Sequence, residues 1–243
     1  MKILAIDCAD KPCSCAVVED NRIICEAFIS IGLTHSQTLQ PMLHDMLKNA
    51  QIDIGEIDRF AVSIGPGSFT GLRIGISAIK GMAFGSGKKC VGVSTLHAAA
   101  YGMTGTKGII VAVMDARCGQ VYTATFYSDG EKLTRITEDR AIMLTELVED
   151  IKRLKSEKNF SSEKVFLVGR GNEMCYNVIK TEVDCVFVAP PHLSCQRASF
   201  VALISDEYDE ITAHELLPSY LRLPQAEREL KAKNEAKLKK GAN

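Results

Sequence analysis

A glycine-rich run in the first third of the chain has the residue types of an anion site: Gly65-Pro66-Gly67-Ser68-Phe69-Thr70-Gly71. The apolar residues 59–64 before it predict a buried strand, and residues 72–85 after it carry bulky and small apolar residues at helical spacing. A glycine-rich turn between a strand and a helix start lets backbone N–H groups point at an anion. Ser68 or Thr70 is expected to cap the helix. The run predicts either a phosphate-facing loop or a tight turn that lets two helices meet.

The run fits none of three common enzyme motifs. A P-loop needs four residues between its first glycine and Gly-Lys-Ser/Thr, and no such spacing follows Gly65. The three glycines of the run are one residue too widely spaced for a dinucleotide fingerprint. Ser68 lacks the flanking glycines of a nucleophile elbow. The residues that would face a phosphate are Asp7, Gly65, Gly67, Ser68 and Thr70.

Cysteine and histidine are present, but not at the spacing of a familiar metal site. Cys8, Cys13 and Cys15 lie close along the chain, yet no Cys-x-x-Cys occurs. Leu39 stands four residues after His35, so there is no H-x-x-x-H pair. We therefore expect no metal site among these residues. The odd number of cysteines, nine, predicts reduced thiols in a cytoplasmic protein.

Composition allows one large domain or two lobes, since 243 residues with 46% hydrophobic content can build a sizeable core. A net charge of -1 argues against direct binding of nucleic acid or a membrane. We expect no leader, because the chain runs directly into an apolar strand, and no apolar run approaches the ~20 residues that span a bilayer.

The predicted elements occur in the same order twice. The first half is expected to have strands 2–7, 14–19 and 22–31, helix 38–50, strand 59–64, helix 72–85, strand 89–93 and helix 95–101. The second half is expected to have strands 109–115, 120–127 and 132–136, helix 144–155, strand 164–168, helix 171–180 and strand 185–188. A helix at 198–208 and a docking strand or turn at 217–222 follow.

Each half is thus β-β-β-α-β-α, and each first strand ends in an acid, Asp7 or Asp115. This order predicts an α/β fold of two duplicated lobes around a cleft, as in the actin, Hsp70 and sugar kinase (ASKHA) group. We place the first lobe at 1–104 and the second at 105–224, with its C-terminal helix able to pack back on the first. A solvated tail is expected at 225–243.

Two helices of the first half have faces suited to packing. The first carries one apolar stripe at helical spacing, and the second is rich in glycine. Glycine inside a helix costs ~1 kcal/mol relative to alanine, so Gly71, Gly75 and Gly85 require a reason, such as close approach by another helix or strand. The stripe is equally typical of an ordinary core, and its spacing does not separate the two interpretations.

Several motifs together resemble the TsaB (YeaZ) family. They are Ile3-Leu4-Ala5-Ile6-Asp7, His35-Ser36, the run from Gly65 to Gly75, Lys80-Gly81, Val91-Gly92-Val93-Ser94-Thr95-Leu96, Asp115-Ala116-Arg117, Val121-Tyr122 and Pro218-Ser219-Tyr220-Leu221-Arg222. The resemblance implies a cytoplasmic, non-catalytic subunit for making N6-threonylcarbamoyladenosine at position 37 of tRNA (t6A37). It also implies that the subunit binds and activates the transferase TsaD together with the ATPase TsaE. ATP and metal would then sit on TsaD and TsaE, and tRNA would be bound only through the complex.

The resemblance further implies that helices of the first lobe bind TsaD, or a second copy when the chain is alone. The candidate interface residues are Leu39, Met42, Leu43, Met46, Leu47, Ile74, Gly75, Ala78 and Met82. A four-helix junction of this kind would bury about 1,200–2,000 Å². The alternative is an ATP-binding or ATP-hydrolysing enzyme of the same fold, with Asp7 and Asp115 holding Mg²⁺ through water.

Overall fold

Each half of the chain begins with a run of strands and continues with helices and strands in turn. The computed structural model describes residues 1–222. The tail predicted at 225–243 lies outside the described residues. The first half contains β1 (Lys2–Asp7), β2 (Cys13–Glu19), β3 (Arg22–Ile29), α1 (His35–Ala50), β4 (Arg59–Gly65), α2 (Phe69–Ser86), β5 (Lys89–Ser94) and α3 (Thr95–Tyr101).

The second half repeats this order with one additional strand. It contains β6 (Gly108–Arg117), β7 (Gln120–Ser128), β8 (Leu133–Arg135), β9 (Arg140–Met143), α4 (Leu144–Ser156), β10 (Val165–Val168), α5 (Asn172–Ile179), β11 (Val186–Val188) and α6 (Ala198–Leu203). No helix within residues 1–222 has the length and apolar character needed to cross a membrane.

The two sheets have the same topology. The first has the order β3-β2-β1-β4-β5 and the second the order β8-β7-β6-β10-β11, with β9 pairing to β7. In each sheet the first three strands are antiparallel and the last two run parallel to the first. The predicted ASKHA-type fold of two duplicated α/β lobes is confirmed.

Both faces of each sheet are covered, which explains the nearly continuous apolar strands. On the first sheet, Leu4 and Ile6 face the apolar sides of α1 and α2, while Ile3 and Ala5 face α6. The second sheet packs against α4 and α5 on one side and against α3 on the other. The last helix of each half therefore covers the sheet of the other half.

Helix α1 begins at His35, one turn earlier than predicted. Thr34 N-terminal to it accepts backbone bonds from Gln37 at 2.9 Å and Thr38 at 3.3 Å, and these bonds stabilise the extra turn. Pro41 is consequently inside the helix instead of in its first turn. Because Pro41 has no backbone N–H, the Gln37 carbonyl lacks an intrahelical donor. The side chains of Pro41 and Gln37 are both exposed, so this carbonyl lies on the solvent side of the helix.

The helix predicted at 198–208 is also different, because α6 ends at Leu203 and a 3-10 turn follows at Ser205–Glu207. The buried guanidinium of Arg59 accounts for the break. It donates to Ser205 Oγ at 3.0 Å and pairs with Asp206 and Glu210, which requires this segment to turn toward β4.

Candidate functional site

The glycine-rich run packs against the end of β1. A Cβ added at Gly67 would overlap the carbonyl oxygen of Ala9. The same carbonyl accepts a hydrogen bond from the Ser68 N–H at 2.6 Å. Ser68 Oγ accepts from the Gly71 N–H at 3.2 Å, so Ser68 is the N-cap of α2. Glycine at position 67 therefore serves close packing, and the Ser68 N–H is already paired within the chain.

Asp7 lies beneath this loop and is only 2% exposed. Its carboxylate accepts hydrogen bonds from Ser63 Oγ and from the Ala9 N–H, the second at 3.1 Å. Burial raises the pKa of the Asp7 carboxyl against the opposing effect of these two bonds. The side chain joins the ends of β1 and β4, which leaves it poorly placed to hold a hydrated cation in a cleft.

A cavity of about 360 Å³ lies in the cleft between the lobes. Of the predicted phosphate-facing residues, three line it: Gly67, Ser68 and Thr70. Asp115 and Arg117 line it from the second lobe, and Asp115 Oδ1 accepts from the Arg117 N–H at 2.7 Å. Gly65 lines a separate cavity. That this loop meets a phosphate stays a prediction.

Residues 217–222 close the cleft from one side. The Ser219 N–H donates to the Ile64 carbonyl at 2.8 Å, and a Cβ added at Gly65 would overlap the Ser219 carbonyl oxygen. The Tyr220 ring stacks on Phe69 with 4.8 Å between centroids. Arg222 Nη1 donates to the Ala116 carbonyl in the second lobe. This segment thus connects the glycine-rich loop to the opposite lobe.

A polar cluster at the lobe junction was not apparent from the sequence. His97 Nδ1 lies 2.8 Å from the Tyr208 hydroxyl, and its ring stacks on Phe126 of the second lobe. Burial, with a smaller contribution from Arg135, lowers the pKa of His97 to about 4. Ser94 is the N-cap of α3, and its hydroxyl accepts from the His97 N–H at 3.1 Å.

The structure divides the candidate interface residues of α1 and α2 into two groups. Five are buried in the first lobe: Leu39, Met42, Leu43, Met46 and Gly75. Four are partly exposed: Leu47, Ile74, Ala78 and Met82. The apolar stripe of α1 is therefore mainly core, because α1 packs on the first sheet across β2 and β3.

Helix α2 has an outward face made mostly of small residues, which we call the α2 outer face: Thr70, Ile74, Ser77, Ala78, Gly81, Phe84 and Gly85. Around its first half lies an open groove of about 600 Å³ bordered by Gln40 of α1. A Cβ added at Gly81 or Gly85 would meet no atom of the described part of the chain within 4 Å. Phe84 between them is 86% exposed.

The glycines of α2 thus have two different environments. A Cβ at Gly71 would overlap the Cys8 carbonyl, and one at Gly75 would contact Ile6 and Val62. These two positions are explained by packing inside the lobe, whereas Gly81 and Gly85 are not. Among residues 1–222, the predicted close approach to the backbone of α2 is found only at the beginning of the helix.

Comparison with known proteins places this geometry in a family. A family model described as "TsaD: tRNA N6-adenosine threonylcarbamoyltransferase" matches residues 31–230. The "tRNA threonylcarbamoyladenosine biosynthesis protein TsaB" of Bacillus subtilis is 29% identical over 227 residues, covering 93% of this chain and 96% of that protein. The protein of the same name from Buchnera aphidicola subsp. Schizaphis graminum is 31% identical over 70% of this chain and 78% of its own. The chain belongs to this family, and within it to the TsaB (YeaZ) proteins.

Solved structures agree with the assignment at the level of the fold. YeaZ from Pseudomonas aeruginosa superposes with a TM-score of 0.73 at 22% identity and covers 90% of this chain and 99% of its own. The TsaB resemblance found in the sequence is confirmed, and with it a role in the biosynthesis of threonylcarbamoyladenosine in tRNA.

Proposed function

We propose that this chain is the non-catalytic subunit of the bacterial t6A37 synthesis complex that binds and activates TsaD, with TsaE joining them. The α2 outer face carries the contact in this proposal. The same face would join two copies of the chain when TsaD is absent. ATP and metal belong to TsaD and TsaE in this arrangement, and tRNA is bound through the complex.

The observation that supports the proposal is the pair of outward glycines in α2. Each glycine costs ~1 kcal/mol of helix stability relative to alanine, and no neighbour within 4 Å in the described chain uses the space at Gly81 or Gly85. A helix from another molecule can approach the backbone closely at such positions. Phe84, 86% exposed beside them, supplies the large apolar side chain that commonly anchors an interface.

The polar groups near the cleft favour an accessory role over ATP hydrolysis. The Asp7 carboxylate is occupied by Ser63 and Ala9. Asp10 pairs with Arg170 across the lobes at 3.0 Å. Asp115, the second carboxylate of the ATP-hydrolysing alternative, accepts from the Arg117 N–H at 2.7 Å. The structural contacts of Asp7 and Asp10 support leaving the chemistry to the partner in this proposal.

A binding experiment with purified TsaD tests the contact. Ser77→Glu and Gly81→Glu each place a charge on the α2 outer face without entering the core, and we expect each to raise Kd by at least about tenfold, ~1.4 kcal/mol. Asn177→Glu, at an exposed position of α5, is the matched control and should bind as the wild type does. Leu43→Glu is unsuitable, because Leu43 is 4% exposed and the charge would disrupt the core.

Equal affinity of both face variants and wild type would refute this docking face. Activity is tested separately by measuring threonylcarbamoyladenosine in tRNA. We expect none from this chain alone and restored synthesis when it is added to TsaD and TsaE. Modification or steady ATP turnover by the chain alone would instead support the enzyme alternative.

A further inference from the structure

Three metal-ligating side chains from three different elements meet where β1 ends. Cys8 follows β1, Cys13 begins β2 and His35 begins α1. The Sγ atoms of Cys8 and Cys13 lie 3.7 Å apart. Both sulfurs and a ring nitrogen of His35 lie within 4.8 Å of one another. Local spacing predicted no metal site here, because His35 comes 22 positions after Cys13 and fits no familiar ligand motif with it.

The hydrogen bonding of His35 leaves one ring nitrogen available. Its Nε2 lies 2.7 Å from the Asp10 carbonyl oxygen. A carbonyl can only accept, so Nε2 carries the hydrogen and Nδ1 keeps its lone pair. Nδ1 is buried and has no hydrogen-bond partner among residues 1–222. Metal-binding histidines typically donate their second N–H to a backbone carbonyl or a carboxylate in this way.

We propose that Cys8, Cys13 and His35 form a binding site for Zn²⁺ or a similarly thiophilic divalent cation. Tetrahedral zinc with Zn–S bonds of about 2.3 Å holds two sulfurs about 3.8 Å apart, close to the distance observed. The corresponding separation of sulfur and nitrogen is about 3.6 Å, so from a separation of at most 4.8 Å the imidazole would move inward by at most roughly 1.2 Å.

Binding would replace two S–H bonds by two Zn–S bonds and release both protons to solvent. A water molecule or an external ligand would complete the four-coordinate shell. The ion would connect the β1–β2 turn to the first residue of α1. This inference rests on the side chains of the first lobe alone and does not depend on docking to TsaD.

Cobalt(II) titration of the full chain, stripped with a chelator and kept reduced, provides a direct test. We expect one Co²⁺ per chain, a thiolate-to-cobalt charge-transfer band, and loss of that band on adding Zn²⁺. Cys13→Ser and His35→Gln should each weaken Co²⁺ binding by at least about 10–100-fold. A loss of that size is typical when a residue that only hydrogen-bonds to a metal ligand is changed, so removing a ligand itself should cost no less. Cys175→Ser removes a buried thiol of the second lobe and is the matched control.

Thermal unfolding distinguishes a lost ligand from a lost fold. Zn²⁺ should raise the Tm of the wild type and of Cys175→Ser, and leave that of a folded His35→Gln protein unchanged. The proposal fails if Co²⁺ binding is the same in all four proteins. It also fails if Cys8 and Cys13 form a disulfide, with its S–S bond of about 2.05 Å, and the reduced protein takes up no metal.

Discussion

Gly67 and Ala9 lie in direct backbone contact where β1 ends and α2 begins. The contact allows the Ser68 N–H to reach the Ala9 carbonyl at 2.6 Å. Gly67→Ala would place a methyl group on that oxygen. We expect a loss of about 1–3 kcal/mol in the free energy of unfolding, as for overpacked sites, measured by urea denaturation.

Gly81→Ala is the matched control, since the added methyl meets open space in the same helix. It should stabilise the isolated chain by about 0.5–1 kcal/mol through helix propensity. If Gly67→Ala proved as stable as the wild type, close packing would not be the reason for glycine there.

At single positions the sequence predicted local chemistry and missed long-range contacts. The choice of Ser68 or Thr70 as cap was correct because capping depends on neighbours within three residues. The grouping of Cys8 with His35 depends on how the first sheet packs against α1, and no local spacing encodes it. The positions of such residues require the assembled sheet.

At the scale of elements, periodicity predicted where helices and strands lie but not what covers them. The apolar stripe of α1 predicted an amphipathic helix correctly, yet its spacing could not tell the lobe core from a partner. Strand β9 was missed because four residues, Arg140–Met143, are too few to show alternation. Its structure depends on pairing with β7.

The segment 217–222 is held to α2 chiefly by one aromatic side chain. Tyr220 stacks on Phe69 and accepts a hydrogen bond from Arg73 Nε at 2.9 Å. Tyr220→Ala should lower the free energy of unfolding by about 1–2 kcal/mol, because the stacked pair and the bond are both lost. It should also speed hydrogen exchange at the Ser219 amide, which is bonded to Ile64.

Tyr220→Phe separates the two contributions. It keeps the stacking and removes the hydroxyl, so we expect a smaller loss of about 0.5–1.5 kcal/mol and slower exchange at Ser219 than in the alanine variant. Unchanged exchange in Tyr220→Ala would show that other contacts hold the segment.

At the scale of the whole molecule, the lobes are joined by an exchange of helices. Helix α3 follows the first sheet and packs on both sheets, through Ala98 on the first and Leu96 and Ala99 on the second. Helix α6 follows the second sheet and packs on the first. Helix α6 is further attached by Arg197, which pairs with Glu26 of β3 at 2.8 Å. Opening the cleft would therefore disturb both cores, so the cluster around His97 at the junction should affect the stability of the entire chain.

His97 makes the stability of this junction depend on pH. Burial lowers its pKa from 6.5 to about 4, so the unfolded chain takes up the proton first as the pH falls. The free energy of unfolding should therefore decrease as the pH falls from about 6.5 to about 4. The whole difference in the pKa of His97 between the unfolded and folded states corresponds to up to about 3 kcal/mol. His97→Gln retains a hydrogen-bonding side chain and lacks this titration.

The measurement is the free energy of unfolding of both proteins at several pH values between 4 and 7. Burial also raises the pKa of Asp7, which has the opposite effect. The folded protein favours the protonated Asp7 carboxyl, so the contribution of Asp7 to the free energy of unfolding decreases as the pH rises. It does so in both proteins and cancels in their difference. The difference in free energy of unfolding between the wild type and His97→Gln should therefore become smaller or change sign at low pH. A difference that stays constant across this range would show that folding does not shift the pKa of His97.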